Sequence, residues 1–123
     1  MEWLAVAIGG AVGSVARYEF AKQVTMRLGT GFPWGILAIN VIGSFVMGVM
    51  VAFFALVPLP QTLRVGLTTG ILGGFTTFST FSLDVATLME RGQTLLAAVY
   101  VVASVGLGVG GLFAGKAMLR IFG

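Results

Sequence analysis

Cysteine and histidine are both absent from the 123 residues, and only four acidic side chains occur. No disulfide framework, thiolate nucleophile, Cys/His zinc site or haem ligation is therefore available, and the usual general base is missing. Four carboxylates spread along the chain do not build an oxygen cage for a divalent cation. Charge of either sign is scarce, at 9% of residues against ~25% in soluble domains. Such a chain cannot put a polar shell around a water-soluble core. Together these deficits exclude most enzyme classes and leave lipid as the solvent.

The net charge of +3 comes from seven basic residues, Arg17, Lys22, Arg27, Arg64, Arg91, Lys116 and Arg120. They stand singly between apolar runs and form no basic block, which argues against a nucleic-acid partner. Isolated cations in this pattern read as helix-end anchors at a membrane surface. What is abundant is apolar: 58% of residues are hydrophobic. A bilayer core takes ~20 apolar residues in helical form. The uncharged runs predict four spans in a single membrane domain, about 3–25, 33–57, 63–89 and 93–117. Pro33 opens the second, while Pro58 and Pro60 follow its end, as proline does at helix boundaries.

With four spans, both termini and the 58–64 loop share one side. Counting Lys and Arg alone, and setting aside Arg17 because it lies within a span, that side holds Arg64, Lys116 and Arg120, and the other holds Lys22, Arg27 and Arg91. Three against three gives no positive-inside bias. One reading is a chain that inserts in both orientations, so that two copies pair antiparallel; the other is that counts this small carry no orientation signal. Four helices make a thin bundle, so oligomerisation is expected of anything that conducts a solute. The 19 glycines include small-xxx-small pairs at Gly9/Gly13, Ser44/Gly48, Gly66/Gly70/Gly74, Gly106/Gly110 and Gly111/Gly115, which let membrane helices approach closely.

The third span breaks the pattern. Gly73-Gly74-Phe75-Thr76-Thr77-Phe78-Ser79-Thr80-Phe81-Ser82 sets two helix-weakening glycines before five hydroxyls. A kinked helix whose Ser and Thr bond back to the carbonyl four residues earlier accounts for it. So does a discontinuous helix, because freed backbone at membrane depth is tolerated only where it is buried or lines a cavity. In that second case carbonyl ends attract small cations and amide ends attract anions. Phe78 and Phe81, at i and i+3, share a helix face; they are either packing or a pair of rings whose positive edges meet an anion. Asn40 in the second span, and Tyr100 with Ser104 one turn apart in the fourth, add the remaining interior polar groups. Arg17 is an ionisable group within a span and hence a functional candidate, or a snorkelling interface residue. Asp84 reads as a helix end or the acceptor of a bond, without a ligand role.

Gly74-Phe-Thr-Thr-Phe-Ser-Thr-Phe-Ser82, Gly13-Ser-Val-Ala-Arg17-Tyr18, and Trp34-Gly35 followed by Asn40-Val-Ile-Gly-Ser-Phe45 resemble the small fluoride channels called Fluc (CrcB). The resemblance covers all four spans in matching order. It implies an all-α membrane protein with a third helix broken at mid-membrane, assembled as an antiparallel, dual-topology homodimer. It also implies passive export of fluoride through two pores across the cytoplasmic (inner) membrane. Phe78 and Phe81 would form an aromatic box, Asn40 would donate to the anion, and Ser79, Thr80, Ser82, Tyr100 and Ser104 would continue the fluoride pathway. A structural sodium ion would sit at the dimer centre on the backbone carbonyls of Gly73 and Thr76. Arg17 matches the family as a structural or interface charge. Gly108 replaces a hydroxyl that some relatives carry one turn beyond Ser104.

Two further classes compete with this reading. A four-span, proton-coupled multidrug exporter wants a mid-span carboxylate, and Glu2, Glu19 and Asp84 all lie toward span ends. A non-transporting assembly subunit leaves the hydroxyl-rich string of the third span unexplained.

Overall fold

The computed structural model describes residues 1–122, and every regular element among them is helical. Helix α1 spans Glu2–Leu28 and α2 spans Trp34–Leu56. A composite segment follows: α3, Gln61–Val65, runs into π-helical turns at Gly66–Leu72 and then into the short α4, Gly73–Phe75. After two extended residues, α5 covers Phe78–Glu90, and α6 covers Thr94–Phe122. Three stretches are long and apolar enough to cross a membrane: Trp34–Leu56, Gln61–Glu90 and Thr94–Ile121. Helix α1, at 27 residues, has the length, but Arg17, Glu19, Lys22 and Arg27 interrupt its C-terminal half.

Turn chemistry sets the ends. Pro33 and Pro60 precede the first turns of α2 and α3, where the missing N–H would have had no intrahelical partner. Gly29 (φ 82) and Gly92 (φ 78) take the left-handed backbone that closes the α1–α2 and α5–α6 connections, a conformation that costs glycine nothing.

Packing follows the small residues. Helix α2 lies along α6, and α1 lies along the π-helical turns and α4. A Cβ on Gly9 would sit 2.5 Å from the Gly66 carbonyl oxygen, and one on Gly74 would sit 2.7 Å from that of Gly10. Gly48 and Gly115 bring α2 and α6 into similar backbone contact, against Leu112 and Phe45 respectively. In lipid the tails are as apolar as the side chains, so close backbone approach replaces hydrophobic collapse as the source of helix association. The outward surface is accordingly apolar, with Trp3, Ile8, Val12, Val102 and Phe113 all exposed. A compact cluster of Leu37, Leu88, Ala97 and Tyr100 joins α2, α5 and α6, with Phe81 and Val85 packed on it.

Adjacent glycines on α1 should therefore respond in opposite ways. Gly9→Ala meets backbone and should lose about 1–3 kcal/mol, whereas Gly10→Ala, with no heavy atom nearer than 4.0 Å, should be neutral or gain up to ~1 kcal/mol from helix propensity. Thermal unfolding of the two variants in one detergent measures the difference; equal melting temperatures would contradict close α1 packing.

Candidate functional site

The membrane-length segment Gln61–Glu90 opens at Thr76 (φ −85, ψ 156) and Thr77 (φ −153, ψ 126), both extended. The glycine pair would have placed the break three residues earlier. Gly73 and Gly74 stay helical instead, because Gly74 is pressed against the Gly10 backbone and its lack of a side chain serves that contact. Thr76 closes the upstream half: its N–H and its Oγ1 both donate to the Leu72 carbonyl, each at 2.9 Å.

Asn40 holds the break itself. Its Oδ1 accepts from the Thr77 N–H at 2.9 Å, and its Nδ2 donates to the Thr77 carbonyl at 3.1 Å. One side-chain amide thus satisfies both polar groups of one residue, at a depth where free backbone groups are costly. An unbroken helix would direct the Thr77 N–H to the Gly73 carbonyl four residues back; diverting it to Asn40 deprives Gly73 of that donor. The amide keeps one N–H uncommitted. Downstream, Thr77 caps α5, its Oγ1 accepting from the Thr80 N–H at 3.3 Å. The first turn of α5 therefore presents its amide dipole ends at the break.

A cavity of about 520 Å³ runs beside the break, and Asn40, Gly73, Thr76, Phe78, Phe81 and Ser104 are in its wall. Phe78 is 79% exposed and its ring centroid lies 5.7 Å from that of Phe81. The Ser104 hydroxyl is buried and bonds to no other protein group. The wall thus brings together an amide residue, a serine and two aromatic rings, with no Lys or Arg among its residues.

The other candidate residues lie apart from this wall. Ser79 is exposed beside the Thr77 hydroxyl, and Ser82 bonds back to the Phe78 carbonyl at 3.1 Å. Thr80 lines a separate cavity of about 510 Å³ together with Arg17, Tyr18 and Lys22, so two cations of α1 face the first turn of α5. Tyr100 is completely buried, and its hydroxyl donates to Asp84 Oδ2 at 3.0 Å. Asp84 also lines a third cavity, about 220 Å³, under the α1–α2 loop near Arg91.

Sequence reasoning missed Thr77, which supplies both the cap and the clamped peptide. Its signal is a Thr directly before an apolar helical run, the usual N-cap pattern. The Asp84–Tyr100 pair, sixteen residues apart on different helices, has no local signal at all.

These features define a multi-pass α-helical membrane protein with a polar cavity at a discontinuous helix. Residues 4–116 match the family model described as CrcB-like protein, Camphor Resistance (CrcB), and the chain belongs to that family. A protein of Rhodospirillum centenum named "Fluoride-specific ion channel FluC" is 56% identical over 95% of this chain and 94% of its own length. Proteins of the same name from Nitrobacter winogradskyi, 51% identical over 98% of this chain and 99% of their own, and Rhizobium etli, 52% identical over 95% and 94%, are similarly close.

Removing the clamp tests its worth. Asn40→Ala leaves the Thr77 N–H and carbonyl unpaired, at about 1–3 kcal/mol for each group, and thermal denaturation should show the loss. Asn40→Asp, which sets a carboxylate oxygen against the Thr77 carbonyl and places a charge at membrane depth, should lose at least as much as Asn40→Ala. An Asn40→Ala protein as stable as the parent would show that the Thr77 backbone is not held this way.

Proposed function

We propose that this protein is a passive, fluoride-selective ion channel and not an enzyme. The observation that carries the reading is the cavity beside the break, whose wall holds Asn40, Ser104, Phe78 and Phe81 and no basic residue. The relatives named as fluoride-specific channels support it. Fluoride is small and strongly hydrated, so its shell has to be replaced by several close donors. Amide and hydroxyl hydrogens do this, and ring edges add positive potential without water. A full cation in the wall would trap the ion, whereas conduction needs binding weak enough for release. Arg17 and Lys22 stand outside that wall and raise the local anion concentration at the approach to α5.

In this reading α1 is a fourth span, and the chain exports fluoride across the cytoplasmic (inner) membrane. Two copies pair antiparallel, giving two pores per homodimer. Sodium is the structural cation at the dimer centre. Gly73, exposed in the single chain and deprived of its usual donor by Asn40, suits a carbonyl ligand, with Thr76 beside it in the same wall. The ion would offset the negative ends of converging carbonyls.

Purified protein in liposomes loaded with fluoride or with chloride tests the reading. Fluoride should leave rapidly and chloride hardly at all; equal leakage or none contradicts a selective channel. Phe81→Ile should abolish fluoride release while the oligomer elutes unchanged, and undiminished release would remove the ring from the pathway. Exchanging sodium for a large organic cation during purification should weaken the oligomer on size-exclusion chromatography, and indifference would argue against a central sodium ion.

A further inference from the structure

The geometry points to Asp84 as a positioning residue for the Phe81 ring, acting through Tyr100. This inference rests on the proposed function only in giving Phe81 its role. Helix α5 begins at the break and has α6 as its main neighbour, so its rings are aimed by whatever ties it to α6. Asp84 and Phe81 lie three residues apart on α5 and share a face. Across from them Tyr100 of α6 donates its hydroxyl to Asp84 Oδ2 at 3.0 Å. The Tyr100 ring lies 5.0 Å from the Phe81 ring, and the Phe32 ring is edge-on to it at 5.5 Å.

A fully buried tyrosine with its hydroxyl bound to a carboxylate has neither torsional freedom nor a spare proton. Its hydroxyl hydrogen is committed to Asp84, so the side chain serves as a wall for Phe81 and not as a donor. Phe81 then has two ring neighbours, Tyr100 at 5.0 Å and Phe78 at 5.7 Å. Without the bond, α5 loses a charge-assisted tie to α6, and Phe81 loses the fixed surface that sets its ring angle beside the cavity. Asp84 does not line that cavity, so its effect on the pathway is indirect. An acceptor, more than a negative charge, is what this position requires.

The test uses the full-length protein with Phe81 replaced by 4-fluorophenylalanine, whose fluorine resonance reports ring order without any transport. One narrow resonance is expected in the parent. Asp84→Ala and Tyr100→Phe should each shift or broaden it, and Asp84→Asn, which retains an acceptor oxygen, should restore it. Fluoride release from liposomes, measured on the unlabelled proteins, should slow about tenfold in Asp84→Ala and in Tyr100→Phe, the scale of one lost charge-assisted bond. The double variant should be no slower than either single one, and Asp84→Asn should stay within about threefold of the parent. An unchanged resonance in Asp84→Ala, an Asp84→Asn protein as impaired as Asp84→Ala, or a hundredfold loss in the double variant would overturn the inference. A parent protein silent to fluoride would instead remove the channel reading, and the fluorine spectra would still decide whether Asp84 sets the ring.

Discussion

Two hydrogen bonds between the Asn40 amide and the Thr77 backbone, at 2.9 and 3.1 Å, allow a membrane helix to be interrupted at all. Lipid offers no partner for a freed N–H or carbonyl, and each would cost several kcal/mol if left unpaired. With Thr77 satisfied by Asn40 and its hydroxyl capping α5, the chain stays extended for two residues and restarts as a helix. Three consequences follow from this single arrangement. A cavity opens beside the break, the amide end of α5 is presented at it, and the Gly73 carbonyl is released from helical bonding.

The glycine-rich packing makes the break affordable elsewhere. Gly74 meets Gly10 backbone to backbone, and Gly9 does the same with Gly66, so the upstream half of the segment is held firmly on α1. The downstream half has no such anchorage and depends on α6. The broken segment therefore has one fixed half and one half positioned by side chains, of which Tyr100 with Asp84 is the best defined. Aromatic rings of α5 stand beside the cavity on the adjustable half. That division suits a site whose ring angles matter more than its overall shape.

Much of this was legible from residue order, for identifiable reasons. Pro33 and Pro60 announce helix starts because the missing N–H is harmless there, and uncharged runs of bilayer length announce spans. The hydroxyl-rich string after Gly73-Gly74 marked the segment that breaks. The extended residues themselves lie just past the glycine pair, at Thr76 and Thr77, because a glycine's propensity is a local property whereas the use of Gly74 is tertiary: it touches Gly10. The candidate cavity was legible in Asn40, Phe78, Phe81 and Ser104, which polarity and helical spacing single out. Tyr100 was expected on the same polar track because it lies one turn from Ser104. Which way its hydroxyl bonds depends on Asp84, a residue on another helix whose partner no spacing rule reveals. Helix α1 marks the opposite limit: its 27 residues have the length of a span, but Arg17, Glu19, Lys22 and Arg27 keep it out of the apolar class of the other three stretches.

The most direct measurement of whether the clamped break forms an anion-selective passage is electrical. Protein incorporated in a planar bilayer, with a fluoride gradient and symmetric chloride, should carry a current that reverses at the fluoride equilibrium potential and follows it as the gradient changes. A reversal potential that instead tracks an imposed chloride gradient, or stays at zero while fluoride is varied, would contradict a fluoride-selective passage at this site.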